Sequence, residues 1–294
     1  MNSLSSMLPF LAAGLSLGLL APAPALANDP EQHLAATIDR IERDLDARIG
    51  LVIHDSGSDW SISHRADERF LMASTFKTML CGAVLNLVDA GDIDLAEPLV
   101  IRAEDILDYA PVTETMVGNT MTVGALCHAA LDMSDNTATN LLIDRIGGPP
   151  SVTTFLREIG DPISRVDRRE PELNTFIPGD PRDTTSPDAM VSTMAALLIG
   201  DALSPTSRAQ LVDWMSAGSV TGTLIRASTP EGWHVADRSG SADFNRNIVA
   251  MVTPPDRKPY FIAIFLSDAE ADFDTRNAAV IALSEAVMQV VTSQ

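Results

Sequence analysis

Positive charge is scarce in this chain. Twenty Lys and Arg face forty Asp and Glu over 294 residues, giving a net charge of −20 and a pI of about 4.4. A nucleic acid or an anionic membrane surface demands a basic face, so both are excluded as partners. A small anionic substrate is not, because a local cationic pocket can dominate the field. Cysteine is nearly absent: Cys81 and Cys127 are the whole complement. The five histidines (His33, His54, His64, His128, His234) show no metal-ligand spacing, so neither a metal nor another cofactor is expected. Repeats and low-complexity linkers are missing. Beyond the first residues there is no long apolar run, and the run from Leu8 to Leu20 is too short and too interrupted for a comfortable membrane span.

What is present begins with that run. Ala25-Leu26-Ala27 follows it as a cleavage signature, so residues 1–27 read as a signal peptide, although no Lys or Arg precedes the run. The mature chain is then expected to be periplasmic or secreted, with no membrane attachment after cleavage. In an exported chain an even cysteine count suggests a disulfide, with two buried free thiols as the alternative.

At 46% hydrophobic residues the chain can build a sizeable core. Asn28-Asp29-Pro30-Glu31 opens a helix whose stripe is Leu34, Ile38, Ile41 and Leu45, and Gly50 is expected to end it. Leu51–Ile53 and Trp60–Ile62 read as strands about a turn at Asp55-Ser56-Gly57-Ser58. Residues 92–210 are rich in helices and loops. Thr122 caps a helix through Leu131, Asn136 to Ile146 forms another, and Gly147-Gly148-Pro149-Pro150 closes it. Residues 161–187 carry Asp, Arg and Pro with little periodicity, and such a segment inside a compact domain is usually functional. Three strands (233–238, 247–252, 260–267) and a helix over 275–292 close the chain. The order implies an α/β (α+β) fold. A discontinuous antiparallel-sheet domain flanked by helices (28–70 and 211–294) is interrupted by an all-helical domain (71–210) that holds a loop at 165–183.

Ser74-Thr75-Phe76-Lys77 stands where a polar lead-in meets an apolar helix with Leu80, Ala83, Val84, Leu87 and Val88 at helical spacing. Lys77 follows Ser74 by three residues and so shares its face one turn on. A serine hydroxyl is a poor nucleophile until a neighbour takes its proton, and an adjacent amine can help. Alone, Ser-x-x-Lys is a weak signal, and the pair reads as a helix cap and a solvated lysine. Ser134-Asp135-Asn136 supplies a hydroxyl that can relay a proton and an amide that can bind a carbonyl, and it also reads as a helix N-cap. Arg238-Ser239-Gly240 ends a strand, and Glu170-Pro171-Glu172-Leu173-Asn174 lies in the irregular segment.

In this order, Ser-x-x-Lys, Ser-Asp-Asn and a variant of Lys-Thr-Gly resemble the serine β-lactamases and penicillin-binding proteins. Glu-Pro-Glu-Leu-Asn points to class A β-lactamases, and Arg-Ser-Gly resembles their carbenicillin-hydrolysing subgroup. The resemblance spans the mature chain, including Asp108 to Val112, Asp167 to Glu170 and Arg182 to Thr185. It implies that Ser74 attacks the β-lactam carbonyl, Lys77 and Glu170 activate it, and Ser134 passes a proton to the leaving nitrogen. Backbone N–H groups of Ser74 and Ser241 form the oxyanion hole. Asn136 binds the acyl side-chain amide and Tyr109 flanks the mouth. Arg238 and Ser239, joined by Arg246, bind the carboxylate, and Gly240 and Ser241 belong to the same substrate-binding strand, although the stretch from Ser241 to Asn245 is one residue shorter than usual. Glu170 and Asn174 hold the hydrolytic water, and Arg168 pairs with Asp183 across the loop's neck. Cys81 and Cys127 are implied to be bonded. Arg169 stands where an aromatic is common. The implied protein is a monomeric penicillinase acting on a small-molecule β-lactam without a cofactor. The alternatives are a D-alanyl-D-alanine peptidase or penicillin-binding protein, or a sensor that stays acylated.

Overall fold

A computed structural model describes residue 1 and residues 29–294; residues 2–27 of the expected signal peptide lie outside these. In chain order the first elements are α1 (Pro30–Leu45), β1 (Arg48–Asp55), β2 (Ser61–His64), β3 (Phe70–Leu71), α2 (Lys77–Ala90), β4 (Pro98–Val100), β5 (Thr120–Thr122), α3 (Val123–Asp132), α4 (Asn136–Arg145) and α5 (Pro149–Glu158). Then follow β6 (Thr184–Thr185), α6 (Pro187–Leu198), α7 (Pro205–Ser216), β7 (His234–Ala242), β8 (Asn245–Thr253), β9 (Tyr260–Ser267) and α8 (Phe273–Ser293). Five strands form one antiparallel sheet in the order β2-β1-β9-β8-β7, so the N-terminal hairpin pairs with the last strand of the chain.

The sheet is covered on both faces, and the two-residue strand period sorts its side chains. Ile262, Ile264 and Leu266 of β9 join Ile248, Ala250 and Val252 of β8 against α1 and α8. Their alternates, Phe261, Ala263, Phe265, Val249 and Met251, face the larger cluster built by α2 to α7. The site lies along β7, where this second face meets the helices. Among the described residues no helix is long and apolar enough to cross a membrane.

Three local expectations change. α1 stops at Asp46, left-handed at φ 48°, not at Gly50. Gly50 lies inside β1, where an added Cβ would come within 2.4 Å of the Phe70 ring, so close packing rather than helix termination selects the glycine. Pro149 and Pro150 open α5 instead of closing α4; proline is suited to the first helical turn. The Cys81–Cys127 bond is absent: both are buried free thiols, and Cys81 Sγ donates to the Cys127 carbonyl at 3.8 Å. Burial pushes the Cys127 thiol up, so it packs as a small neutral hydrophobe.

Candidate active site

Ser74 sits in a tight 3₁₀ turn, Ala73–Phe76, that runs into α2 at Lys77. Ala73 enters the turn at φ 44°, a conformation unusual for a side chain with a Cβ. β7 crosses close by. A Cβ on Gly240 would lie 2.9 Å from the Met72 carbonyl and 3.0 Å from the Ser74 nitrogen, so only glycine lets the strand reach the turn.

Ser134 also holds a left-handed backbone, φ 62°, between α3 and α4. The fully buried Asp135 fixes it. Its carboxylate accepts from the Ala138, Val112 and Thr113 N–H groups at 2.8, 3.0 and 2.9 Å and from the Thr113 hydroxyl at 2.8 Å. Asp135 is thus both the α4 cap and the anchor of the Tyr109 segment, whose carbonyl accepts from Asn136 N at 3.1 Å. In this way a helix cap places a pocket residue, and both readings of Ser-Asp-Asn hold.

The side chains converge. Ser134 Oγ lies 3.1 Å from Ser74 Oγ. Lys77 Nζ donates to the Ser134 carbonyl at 2.9 Å, to Ser134 Oγ at 3.3 Å and to Asn136 Oδ1 at 2.8 Å, and it pairs with Glu170 Oε1 at 3.2 Å. Glu170 Oε2 accepts from Asn174 Nδ2 at 2.6 Å. Asn140 of α4 grips the Glu170 backbone from both sides, donating to its carbonyl at 2.8 Å and accepting from its N–H at 3.0 Å. Arg238 Nη2 donates to Ser134 Oγ, while its Nε and Nη1 are buried without a hydrogen-bond partner. Arg246, facing Ser241 across the β7–β8 pair, donates to the Gly240 carbonyl at 3.2 Å and to Asn277 Oδ1 at 3.0 Å. The shortened β7–β8 connection therefore still delivers Arg246 to the pocket.

The neck of the 165–183 loop is closed by Asp183. It accepts from the Asp167 and Arg168 N–H groups at 2.7 and 3.0 Å and pairs with Arg168, both side chains being sheltered. Arg169, standing where an aromatic is common, pairs with Asp144 of α4.

These groups surround a cavity of about 330 Å³. Ser74, Tyr109, Ser134, Asn136, Asn174, Ser239, Gly240, Ser241 and Arg246 line it. Lys77, Glu170 and Arg238 are buried beneath it. Burial pushes the Lys77 ammonium down to about 8; Glu170 opposes the shift and Arg238 adds to it. Burial likewise brings Arg238 and Arg246 down to about 10, and for Arg246 the nearby Arg276 adds to the effect. Among the described residues no group of three or more His, Cys, Asp or Glu could hold a metal ion.

Two wall residues carried no signal in the sequence, Val220 and Phe273. Val220 lies on a segment tied down at both ends. Ser219 N donates to Asp132 of α3 at 2.9 Å. The Thr221 hydroxyl donates to Asp237 of β7 at 2.7 Å, and Asp237 is clamped by Arg226 at 3.0 Å. A lone valine and a distant Arg–Asp pair have no recognisable spacing, so only the folded chain joins them.

The comparisons with known proteins agree with this geometry. Residues 33–291 match the model of the beta-lactamase enzyme family. A beta-lactamase of Rhodobacter capsulatus is 49% identical over 291 residues, 99% of either chain. The crystal structure of a beta lactamase from Xanthomonas campestris pv. campestris matches with TM-score 0.86 at 45% identity, over 90% of this chain and 99% of that one. An ancestral class A beta-lactamase, from a reconstructed last common ancestor of Gram-negative bacteria, matches with TM-score 0.84 at 44% identity, over 87% and 99%. The chain belongs to the beta-lactamase enzyme family. Within it, the chain is a class A serine β-lactamase, a hydrolase that opens the β-lactam ring.

Proposed function

We propose that this enzyme is a penicillinase working through an acyl-serine intermediate. One observation carries the reading: contacts run from Ser74 Oγ through Ser134 Oγ to Lys77 Nζ and on to Glu170, at 3.1, 3.3 and 3.2 Å. Ser74 Oγ attacks the β-lactam carbonyl as its proton leaves toward this chain. The ring C–N bond breaks, and Ser134 hands a proton to the nitrogen. Water then attacks the ester, Glu170 takes its proton with Asn174 beside it, and Ser74 regains a proton as the acid product leaves. Backbone N–H groups of Ser74 and Ser241 stabilise the oxyanion, a role supported by the close approach of β7 at Gly240. Arg238, Ser239 and Arg246 take the carboxylate, Asn136 the acyl amide, and Tyr109 the edge of the mouth. Lys77 and Glu170 lie 3.2 Å apart next to Ser134, so both are within reach of the proton that leaves Ser74.

The two unpartnered donors of Arg238 support a second carboxylate in the substrate, as in carbenicillin. Arg238→Lys should therefore lose more kcat/KM on carbenicillin than on benzylpenicillin; equal losses would remove this extension. The apolar run and Ala25-Leu26-Ala27 support export to the periplasm or medium, and we take the enzyme to act there as a monomer.

The deciding experiment is Glu170→Ala mixed with benzylpenicillin and read by intact-mass spectrometry. Without Glu170, Lys77 loses the charge that holds its proton, so more of it is the free amine and Ser74 still acylates. The variant should then stall as a long-lived adduct while wild type shows little. A stable adduct on wild type with no hydrolysis would instead indicate a peptidase or a sensor.

A further inference from the structure

Phe273 opens α8, yet it is 49% exposed while Val280, Leu283 and Val287 of the same helix are buried against the sheet. An exposed phenylalanine on the wall of a cavity shared with Ser74, Ser134, Asn136 and Arg246 does nothing for the core. Its ring centroid lies 5.4 Å from the guanidinium carbon of Arg246. Asn277, one turn further along α8, holds Arg246 Nε at 3.0 Å. The first two turns of α8 therefore supply both the ring over Arg246 and the amide that sets the arginine's direction.

The next step rests on the carboxylate subsite assigned under Proposed function. In penicillins and cephalosporins the carboxylate is borne by the ring fused to the β-lactam. A side chain stacked on the arginine that receives it faces that fused ring and the substituent next to the carboxylate carbon. Tyr109 and Asn136, on the wall built by the helical part, face the acyl side chain instead. We propose that Phe273 is a specificity-determining residue that selects β-lactams whose fused ring carries a planar, aromatic substituent beside the carboxylate. The contact is an offset or edge-to-face aromatic pair, with the ring held in place by Arg246.

The test uses the full enzyme and two cephalosporins with the same acyl side chain, one with an aromatic substituent at C3 and one with methyl there. Benzylpenicillin is the reference. Each is read as kcat/KM or, if turned over slowly, as a competitive Ki against benzylpenicillin. In Phe273→Ala the aromatic-to-methyl preference should fall about fivefold; Phe273→Leu should fall less and Phe273→Tyr should keep it. A preference unchanged within about twofold in Phe273→Ala would overturn the proposal, even if all three compounds weakened together, because that pattern means only lost cover over Arg246. If wild type does not turn over benzylpenicillin, the reading under Proposed function fails instead. The half-exposed ring leaves no cavity when truncated, and thermal midpoints check that each variant folds.

Discussion

Two buried regions of this enzyme are built on opposite plans. Between the sheet and α1 with α8, side chains such as Leu34, Ile264, Leu283 and Val287 meet with no charged partner among them. Under the pocket, Lys77, Glu170 and Arg238 are just as deeply buried, and two arginine donors have no partner there. Apolar burial stabilises in proportion to area, and each residue contributes almost independently. Buried charge costs solvation, and a close partner returns only part of that. The first region holds the fold together, whereas the second, on the function proposed above, is tolerated because its charges act on a substrate.

The largest effect should come from separating stability and turnover at Lys77. Lys77→Met should lower kcat about 10²–10⁴-fold by removing a proton-transfer partner. It should also destabilise by about 3–5 kcal/mol in urea unfolding, because Glu170 is left buried without its cation. The double variant Lys77→Met with Glu170→Gln should recover most of that stability and no activity. A double variant no more stable than the single would mean the pair supports the fold as the apolar region does.

Leu283→Ala probes the other side. It should cost about 2–5 kcal/mol with kcat/KM unchanged, since it removes only core volume. A loss of turnover in the folded variant would show that the two regions are coupled.

A smaller effect lies in pH. Lys77 falls from 10.5 in the unfolded chain to about 8 when folded, so between these values the unfolded state binds more protons. Its contribution to stability should therefore rise as pH climbs from about 8 to 10.5. The difference between wild type and Lys77→Met, followed by urea unfolding across that range, should grow by this contribution; a flat difference would contradict it.

The smallest expected effect is at the surface. Arg65 pairs with Glu42 and Glu68 in partly exposed positions, and Arg65→Ala should cost only about 0.2–1 kcal/mol, less at high salt.

The apolar region was the easier one to read in the sequence. The stripe from Leu34 to Ile41 and the alternation in β8 and β9 record helix and strand periods directly, because those periods are local geometry. Gly50 was misread for a related reason: a glycine that ends a helix and one that admits a neighbouring ring look alike until the neighbour is known. The pocket was legible only as separate motifs. Ser74, Ser134, Glu170 and Arg238 could be named, but no spacing along the chain encodes the 3.1 Å between Ser74 and Ser134 hydroxyls or the 3.2 Å between Lys77 and Glu170.

By itself, then, the sequence determined the elements, the order of the chemical motifs and the acidity that turns away polyanions. The tertiary structure decided which charges share a site. It set Asp135 beneath Ser134, left Cys81 and Cys127 as separate thiols, and brought Val220 and Phe273 to a wall nearly 150 and 200 residues along the chain from Ser74. The physical reason is range: propensity, capping and periodicity act over a few residues, whereas a pocket forms where segments far apart in the chain pack against one another.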